Sequence, residues 1–331
     1  MDFVKIFDRF NSLNILIIGD VMIDAYWWGN VNRISPEAPV PVCAVNNKEN
    51  RLGGAANVAL NIAAMGANPI LCSIVGDDFH GHELCRLMEV QKMETEGIVF
   101  SSLRPTTVKT RIIGNNTQML RIDEETDANI SSIEEGIFLE KLENIINSKK
   151  INAIIFQDYD KGVLTETVIA KTIELAKNKN IPTTVDPKKR NFNSYKNIDL
   201  FKPNLKELKD GLKIDFDKVN KDNLVEAALL LHHKQKINKV FITLSENGVF
   251  MMDFSKKEAE IIMLPACLRK IADVSGAGDT VISLASLCLA LNLDSTTIAN
   301  ISNFAGGLVC ESVGVVPINK NRLLAELLKK E

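Results

Sequence analysis

The sequence predicts an α/β protein: a three-layer α/β/α body around a mostly parallel sheet, with a small β lid beside it. Three observations carry this. Short apolar runs, at 14–19, 70–75, 153–156 and 240–244, each end in a polar loop, and most lead on into a helical stretch. That rhythm marks a doubly wound sheet with its ligands at the strand C-terminal ends. A proline-bearing run at 31–42 and an alternating pair of strands at 106–121 fall outside the rhythm and read as a separate β layer. Finally, Gly276-Ala277-Gly278 runs straight into the apolar stretch 281–287, a buried helix opened by a glycine loop.

The composition is that of a globular protein with ample material for a core: 331 residues, 46% hydrophobic and 24% charged. Length alone allows two domains, but one domain over 1–331 with lid segments at about 24–46 and 104–124 accounts for the pattern. Net charge is −3 with Lys and Arg dispersed, so nucleic acid is not expected as a partner. The six cysteines form no C-x-x-C and mostly lie in apolar runs, as reduced core residues of a cytoplasmic protein do. The start, Met1-Asp2-Phe3-Val4-Lys5, lacks a signal-peptide layout, and no apolar run is long enough to span a bilayer, so no membrane role is expected.

In chain order, 14–20 is a buried parallel strand that opens onto a site. Both tryptophans, Trp27 and Trp28, follow. Pro36, Pro39 and Pro41 exclude a helix and a central strand. The apolar side chains here need a cover, which a lid over a pocket or a homodimer contact through that lid supplies. Gly53-Gly54 opens an Ala-rich helix that Gly66 closes. The glycine pair lets backbone touch a ligand, and Asn57 offers a donor and an acceptor suited to sugar hydroxyls. Tight helix–sheet packing is the other use of such small residues. After the strand at 70–75, His80 and His82 read as surface residues, because no third metal ligand is close in sequence.

Two strands flank the turn Gly114-Asn115-Asn116. Lys109 and Arg111 share one face of the first, with Arg104 and Arg121 near. The cluster suits a phosphate already on a substrate, or else a solvated edge strand defended by charge. From 131 onward helix and strand alternate: a helix near 132–147, a strand ending in Gln157-Asp158-Tyr159-Asp160-Lys161-Gly162, a helix at 165–178 and a strand ending in Asp186-Pro187-Lys188. Asn204 and Glu207 share the first turn of a short helix, where they reach Mg²⁺ waters or phosphate oxygens, or form a reciprocal helix cap. Thr243 and Ser245, at the end of the strand 240–244, suit nucleotide phosphates, with Gly248 closing their loop. Helices at 279–291, near 295–311 and at 319–330 complete the chain. In the second of these, Asn303, Ala305, Gly306 and Gly307 leave room for a flat base.

The loop at 276–278 carries the chemistry. Gly276 and Gly278 leave backbone N–H groups uncovered at a helix N-terminus, where the dipole favours an anion. Asp279 at the mouth of an anion site is out of place unless it takes a proton from a nucleophile attacking a bound phosphate. That is the logic of phosphoryl transfer.

These elements resemble the PfkB/ribokinase family of carbohydrate kinases over essentially the whole chain. The resemblance rests on the Gly53-Gly54…Asn57 helix start, Gly76-x-Asp78-x-x-Gly81, Asn204-x-x-Glu207 and Gly276-Ala277-Gly278-Asp279, in the family's order. Within it, 19–24, 33–42, 53–59, Asp158-Tyr159-x-Lys161-Gly162 and 273–280 look like the kinase domains that phosphorylate the anomeric hydroxyl of D-glycero-β-D-manno-heptose 7-phosphate, on the way to ADP-heptose and lipopolysaccharide core. In many bacteria that kinase is fused to a nucleotidyltransferase; this chain looks like the separate form. The resemblance implies a ribokinase-like fold, ATP and a sugar phosphate as substrates, Mg²⁺ as cofactor, and leaves a need for K⁺ open. It implies Asp279 as base, with Gly276, Ala277 and Gly278 as anion hole, and Asn204 and Glu207 around Mg²⁺. Asp24, Gly53, Gly54 and Asn57 would hold the sugar, and Lys109, Arg111, Asp158, Lys161, Asp186 and Lys188 would surround the substrate. Thr243, Ser245, Gly248 and Asn303 would face the nucleotide. Three residues depart from the pattern: Ser245 replaces a usual Gly, Leu284 a usual small residue, and Gln157 the Ser usual in the heptose kinases. A kinase for another sugar, sugar phosphate or nucleoside, and a non-catalytic sensor on a kinase fold, are the rival readings.

Overall fold

The structure, a computed structural model, describes residues 2–216, 219–267, 269 and 271–329. Its centre is β1 (Asn14–Gly19), buried on both faces. Ile15 and Ile17 enter one apolar core, Leu16 and Ile18 the other. Such a strand belongs in the middle of a parallel sheet. It pairs in parallel with β4 (Asn68–Gly76) on one side and β8 (Ala153–Gln157) on the other. β5 (Ile98–Ser101) lies beyond β4. Beyond β8 come β9 (Thr183–Asp186), β10 (Leu200–Phe201), β11 (Lys239–Thr243), β12 (Val249–Asp253) and β13 (Glu260–Leu264). The order is parallel through β11, and β12 and β13 are antiparallel. The winding reverses between β1 and β8, so the C-terminal ends of β1, β8 and β9 meet at the switch point where such sheets bind ligands.

Helices cover both faces. α1 (Phe3–Phe10), α2 (Ala55–Ala64), α3 (Phe79–Val90), α8 (Ala277–Ala290), α9 (Ser295–Val309) and α10 (Lys320–Leu328) pack on the Ile15 side. α4 (Ser132–Ser148), α5 (Glu166–Asn178), α6 (Leu205–Leu212) and α7 (Lys221–Gln235) pack on the Leu16 side. α8 is buried continuously from Asp279 to Leu289, so it carries no amphipathic stripe. Leu284, where a small residue is usual, is fully buried in that helix.

A second sheet has the order β3-β2-β6-β7: β3 (Pro41–Gly54), β2 (Val21–Ile34), β6 (Val108–Gly114) and β7 (Thr117–Glu124). β2 leaves β1 after Asp20 alone, and β3 runs directly into α2, so this sheet stands at the C-terminal edge of the first. Pro36 and Pro39 occupy the turn between β2 and β3 and Pro41 starts β3, positions that need no ladder donor in a strand interior. Asn115 and Asn116, with φ of 51° and 62°, make the expected hairpin turn.

The expected architecture is found, with adjustments. The first hairpin of the second sheet spans 21–54 rather than 24–46. α1, β5, β10, α7 and β13 fall outside the sequence expectations: α1, β5 and β10 are short, and β13 and α7 gain their places from packing. Of the six cysteines only Cys72 and Cys288 are buried; the other four are half-exposed, so the expectation that most are core residues is corrected. Among the described residues, no helix is long and apolar enough to cross a membrane.

Candidate active site

Three strand ends and two helix starts deliver polar groups to one place. Asp279 sits in the first turn of α8 and is almost fully buried. Asn57, from the first turn of α2, donates Nδ2 to Asp279 Oδ2 at 2.7 Å. Gln157, at the end of β8, donates Nε2 to Asp279 Oδ1 at 3.0 Å, and the Tyr159 hydroxyl donates to the same oxygen at 2.7 Å. Asp186 ends β9 and pairs with Lys202, which follows β10, at 2.9 Å. Burial pushes the Asp279 carboxyl up to about 6, with Asp186 adding to the rise, while the donors Asn57 and Tyr159 and the Lys202 charge oppose it. A carboxylate poised there is matched to proton abstraction near neutral pH.

The loop ahead of α8 has the anticipated form. Gly276 takes φ 80°, and Gly276, Ala277 and Gly278 are half-exposed at the mouth of the site. The first N–H groups of a helix have no intrahelical acceptor and face outward toward any anion. A Cβ at Gly278 would stand 3.6 Å from both Asp186 Oδ2 and Lys202 Nζ, so the loop lies over that ion pair. Lys188 pairs with Glu207 and lies over the Tyr159 ring, 5.5 Å from its centroid. Burial pulls the Lys188 ammonium down, but Asp186, Glu207 and Asp279 outweigh it and leave it raised, a firm positive charge that acts on Asp279.

Asn204 and Glu207 form a reciprocal capping box on α6, each accepting the other's backbone N–H at 2.8 Å. Thr243 lies beside Asn204 through an isolated parallel bridge. Ser245 takes φ 52°, the conformation that explains why glycine is usual there. Gly248 takes φ 86° and could not be replaced, since a Cβ would lie 2.1 Å from the Leu264 carbonyl oxygen. Asn303 donates to the Pro265 carbonyl at 2.9 Å, tying α9 to the loop after β13. Ala305 and Gly306 turn into the core, so the expectation that they leave room for a base is corrected; Asn303 and Gly307 stay half-exposed. Mg²⁺ takes oxygen donors, and Asn204 and Glu207 supply them. Both Glu207 oxygens are engaged, by the cap and by Lys188, so this pair fits Mg²⁺ through waters and not by direct ligation.

On the side of the second sheet, Asp24 and Arg111 pair at 2.5 Å, and a Cβ at Gly53 would stand 2.2 Å from Asp24 Oδ2. Gly54, with φ 60°, comes so close to Asp20 that a Cβ would lie 2.5 Å from its carbonyl oxygen. Lys109 and Lys161, from β6 and from the loop after β8, converge on Glu125 at 2.7 Å each, and Lys109 also pairs with Asp123. The positive cluster is therefore neutralised by its own chain, which spacing alone does not reveal. Asp158 is not at the substrate face, and that expectation is corrected. It is fully buried and accepts from Asn191, the Tyr195 hydroxyl and the Asp160 N–H, because alternation along β8 turns it away from Gln157. Four site residues escape sequence reasoning. Gln157 stands out only as a departure, Tyr159 only within a motif, and Lys202 not at all. Asp20, the fourth, accepts the N–H groups of Tyr159, Lys161 and Val163 and so shapes the loop that carries Tyr159. His80 and His82 are at the surface, His82 beside Asp77.

A buried carboxylate beneath a glycine loop at a helix N-terminus, at the switch point of a doubly wound sheet, defines a phosphotransferase site with an alcohol as acceptor. The sequence matches the pfkB family of carbohydrate kinases over residues 12–321, and the chain belongs to that family. It is 38% identical over 317 residues to the bifunctional protein HldE of Methylobacillus flagellatus, covering 96% of this chain and 64% of that protein. It is 36% identical over 315 residues to that of Helicobacter hepaticus, covering 95% and 63%. The chain thus spans a little under two thirds of these relatives' length. Among solved structures it is similar to Escherichia coli phosphofructokinase-2 in complex with potassium (TM-score 0.78, 18% identity, 96% and 100% of the two chains). It is also similar to Arabidopsis thaliana ribokinase complexed with ribose and ATP (TM-score 0.71, 15% identity, 95% and 99%).

Proposed function

We propose that the protein is an ATP-dependent kinase for D-glycero-β-D-manno-heptose 7-phosphate, phosphorylating its anomeric hydroxyl to give the 1,7-bisphosphate. The observation that carries the kinase reading is Asp279: buried, raised to about 6, and set under the Gly276–Gly278 loop. Asp279 accepts the hydroxyl proton, while the helix α8 N-terminus, Lys188 and Lys202 take up negative charge developing on the phosphoryl group. Asn204 and Glu207 would hold Mg²⁺ through water, and the ion would supply neutralisation of nucleotide phosphate charge. Thr243, Ser245, Gly248 and Asn303 border the nucleotide. Asp24, Gly53, Gly54 and Asn57 border the sugar, under the second sheet acting as a lid, with 1–331 as one kinase unit. The heptose assignment is supported by the motifs at 33–42 and 158–162 and by the likeness to HldE.

The exposed Met119, Leu120 and Ile122 on β7 support a homodimer through the lid. Cys72 and Cys288, buried as thiols and not joined in disulfides, and ATP as donor support a cytoplasmic setting. Whether K⁺ activates the enzyme is read by replacing it with Na⁺ in the assay. One observation favours a second reading, an unphosphorylated sugar: Asp123 and Glu125 already neutralise Lys109 and Lys161. The test is ADP formation from Mg-ATP with the heptose 7-phosphate beside fructose 6-phosphate, ribose and no sugar. Turnover confined to the heptose phosphate supports the assignment. Turnover with another sugar overturns it and keeps the kinase. No turnover with any sugar favours a non-catalytic sensor.

A further inference from the structure

We propose that Oδ2 of Asp279 is the atom that takes the substrate proton, and that Gln157 and Tyr159 are the positioning residues that reserve it. This rests on the phosphoryl-transfer reading above. A carboxylate has about four lone-pair sites, two on each oxygen. Oδ1 accepts from Gln157 Nε2 at 3.0 Å and from the Tyr159 hydroxyl at 2.7 Å, which fills it. Oδ2 accepts only from Asn57 Nδ2, at 2.7 Å, among the described residues. The open site is on Oδ2. It lies on the productive side, because Asn57 Nδ2 is 3.0 Å from where a Cβ on Gly276 would stand. Oδ2 is therefore bonded to the amide that neighbours Gly276, and Oδ1 to the residue that ends β8.

The Gln157 amide has one sensible orientation. Its Nε2 faces two carboxylate oxygens, Asp279 Oδ1 at 3.0 Å and Asp186 Oδ2 at 3.5 Å, and the flipped amide would set an oxygen against both. The consequence is visible on its other side: Oε1 is buried with no partner among the described residues. An orphaned buried carbonyl is unfavourable, so this amide serves the carboxylates at a loss to itself. In the reaction the acceptor O–H bond breaks with its proton passing to Oδ2. The acceptor oxygen bonds the γ-phosphorus, and the bond from that phosphorus to the β–γ bridging oxygen breaks, releasing ADP.

The titratable and charged groups facing Asp279 are Tyr159 after β8, Asp186 at the end of β9, Lys188 beyond it and Lys202 after β10; α2 contributes the neutral Asn57. Tyr159→Phe and Gln157→Leu keep side-chain volume and each remove one donor to the anionic carboxylate. Losing a donor makes Asp279 harder to ionise, so the acid limb of kcat/KM against pH moves upward by about 0.5–1 unit in each variant. We expect kcat at pH 8 to fall about tenfold with KM for ATP unchanged, since the base is misdirected and not removed. Gln157→Glu, which sets a third carboxylate in the cluster, moves the limb further. An unmoved limb and unchanged kcat in Tyr159→Phe overturn the proposal. So does a loss matched by a higher KM for ATP with no shift in pH, the mark of a merely structural role. If Gln157→Leu does not fold, Tyr159→Phe decides alone. No ADP from the unaltered enzyme with any sugar removes the phosphoryl-transfer reading itself, and this inference with it.

Discussion

At the scale of the residue, Asp279 joins opposite demands. Its carboxyl is raised to about 6 by burial first, then by Asp186. A group raised in the folded state binds its proton more tightly there than when unfolded. The charged form is therefore unfavourable to folding, a cost absent below pH 3.8 and complete above about 6, of order 3 kcal/mol. Asp279→Asn is expected to lower kcat by about 10²–10⁴-fold. Its stability relative to the unaltered protein is expected to rise between pH 5 and pH 8, read from urea unfolding at both. Near-normal turnover in that variant would sink the base assignment. Asp158, also raised to about 6 by burial and by the Asp20 charge, behaves the same way in stability, but it supports the layer beneath the site and not the chemistry.

At the scale of the element, α6 shows one pair of residues in two uses. The Asn204–Glu207 capping box is a complete structural explanation of both residues. Their nearness to Lys188 and to Thr243 is not required by it. Asn204→Ala is expected to lose about 1 kcal/mol of stability through the cap, whereas Asn204→Ser keeps it. If Asn204 helps hold Mg²⁺, the serine variant melts normally and needs several-fold more Mg²⁺ for half-maximal rate; an unchanged Mg²⁺ requirement leaves only the cap. The loop after β7 poses a related question. A substrate phosphate entering between Lys109 and Lys161 must displace Glu125. Glu125→Gln is therefore expected to lower KM for a phosphorylated sugar, while Lys109→Ala raises it, and neither changes KM for ATP. Equal effects on both substrates would remove the phosphate from this place.

At the scale of the whole molecule, β2 and β3 leave the sheet at the same edge that collects Asp279, Gln157 and Asp186, so the lid and the chemistry share one face. The far surface of the lid is apolar at β7, where Leu120 is 55% exposed. Replacing Leu120 and Ile122 together by Lys is expected to convert a dimer to a monomer in sedimentation. An unaltered sedimentation coefficient would move the interface elsewhere. Inside the lid, Tyr26 stacks on Trp28 at 6.2 Å and its hydroxyl accepts from the Val315 N–H at 3.5 Å. Val315 in turn lies 3.4 Å from where a Cβ on Gly276 would stand, so one residue touches both the second sheet and the anion loop.

The sequence by itself determined the layers, the ends of β1, β8 and β9, the lid hairpins and the Gly276–Asp279 motif. Each rests on a local signal: an apolar run closed by a polar loop, a proline that bars a central strand, an Asn-Asn turn, glycines ahead of a helix. Residue-level expectations fared less evenly. Only the tertiary structure decided that Asp158 turns away while Gln157 and Tyr159 turn in, because neighbours on a strand face opposite layers and the loop beyond β8 is bent by Asp20. Likewise only the fold set Glu125 between two lysines and Lys202 under the glycine loop. Charge pairing between distant strands depends on topology, and no periodicity within one segment records which carboxylate the fold will bring to which ammonium.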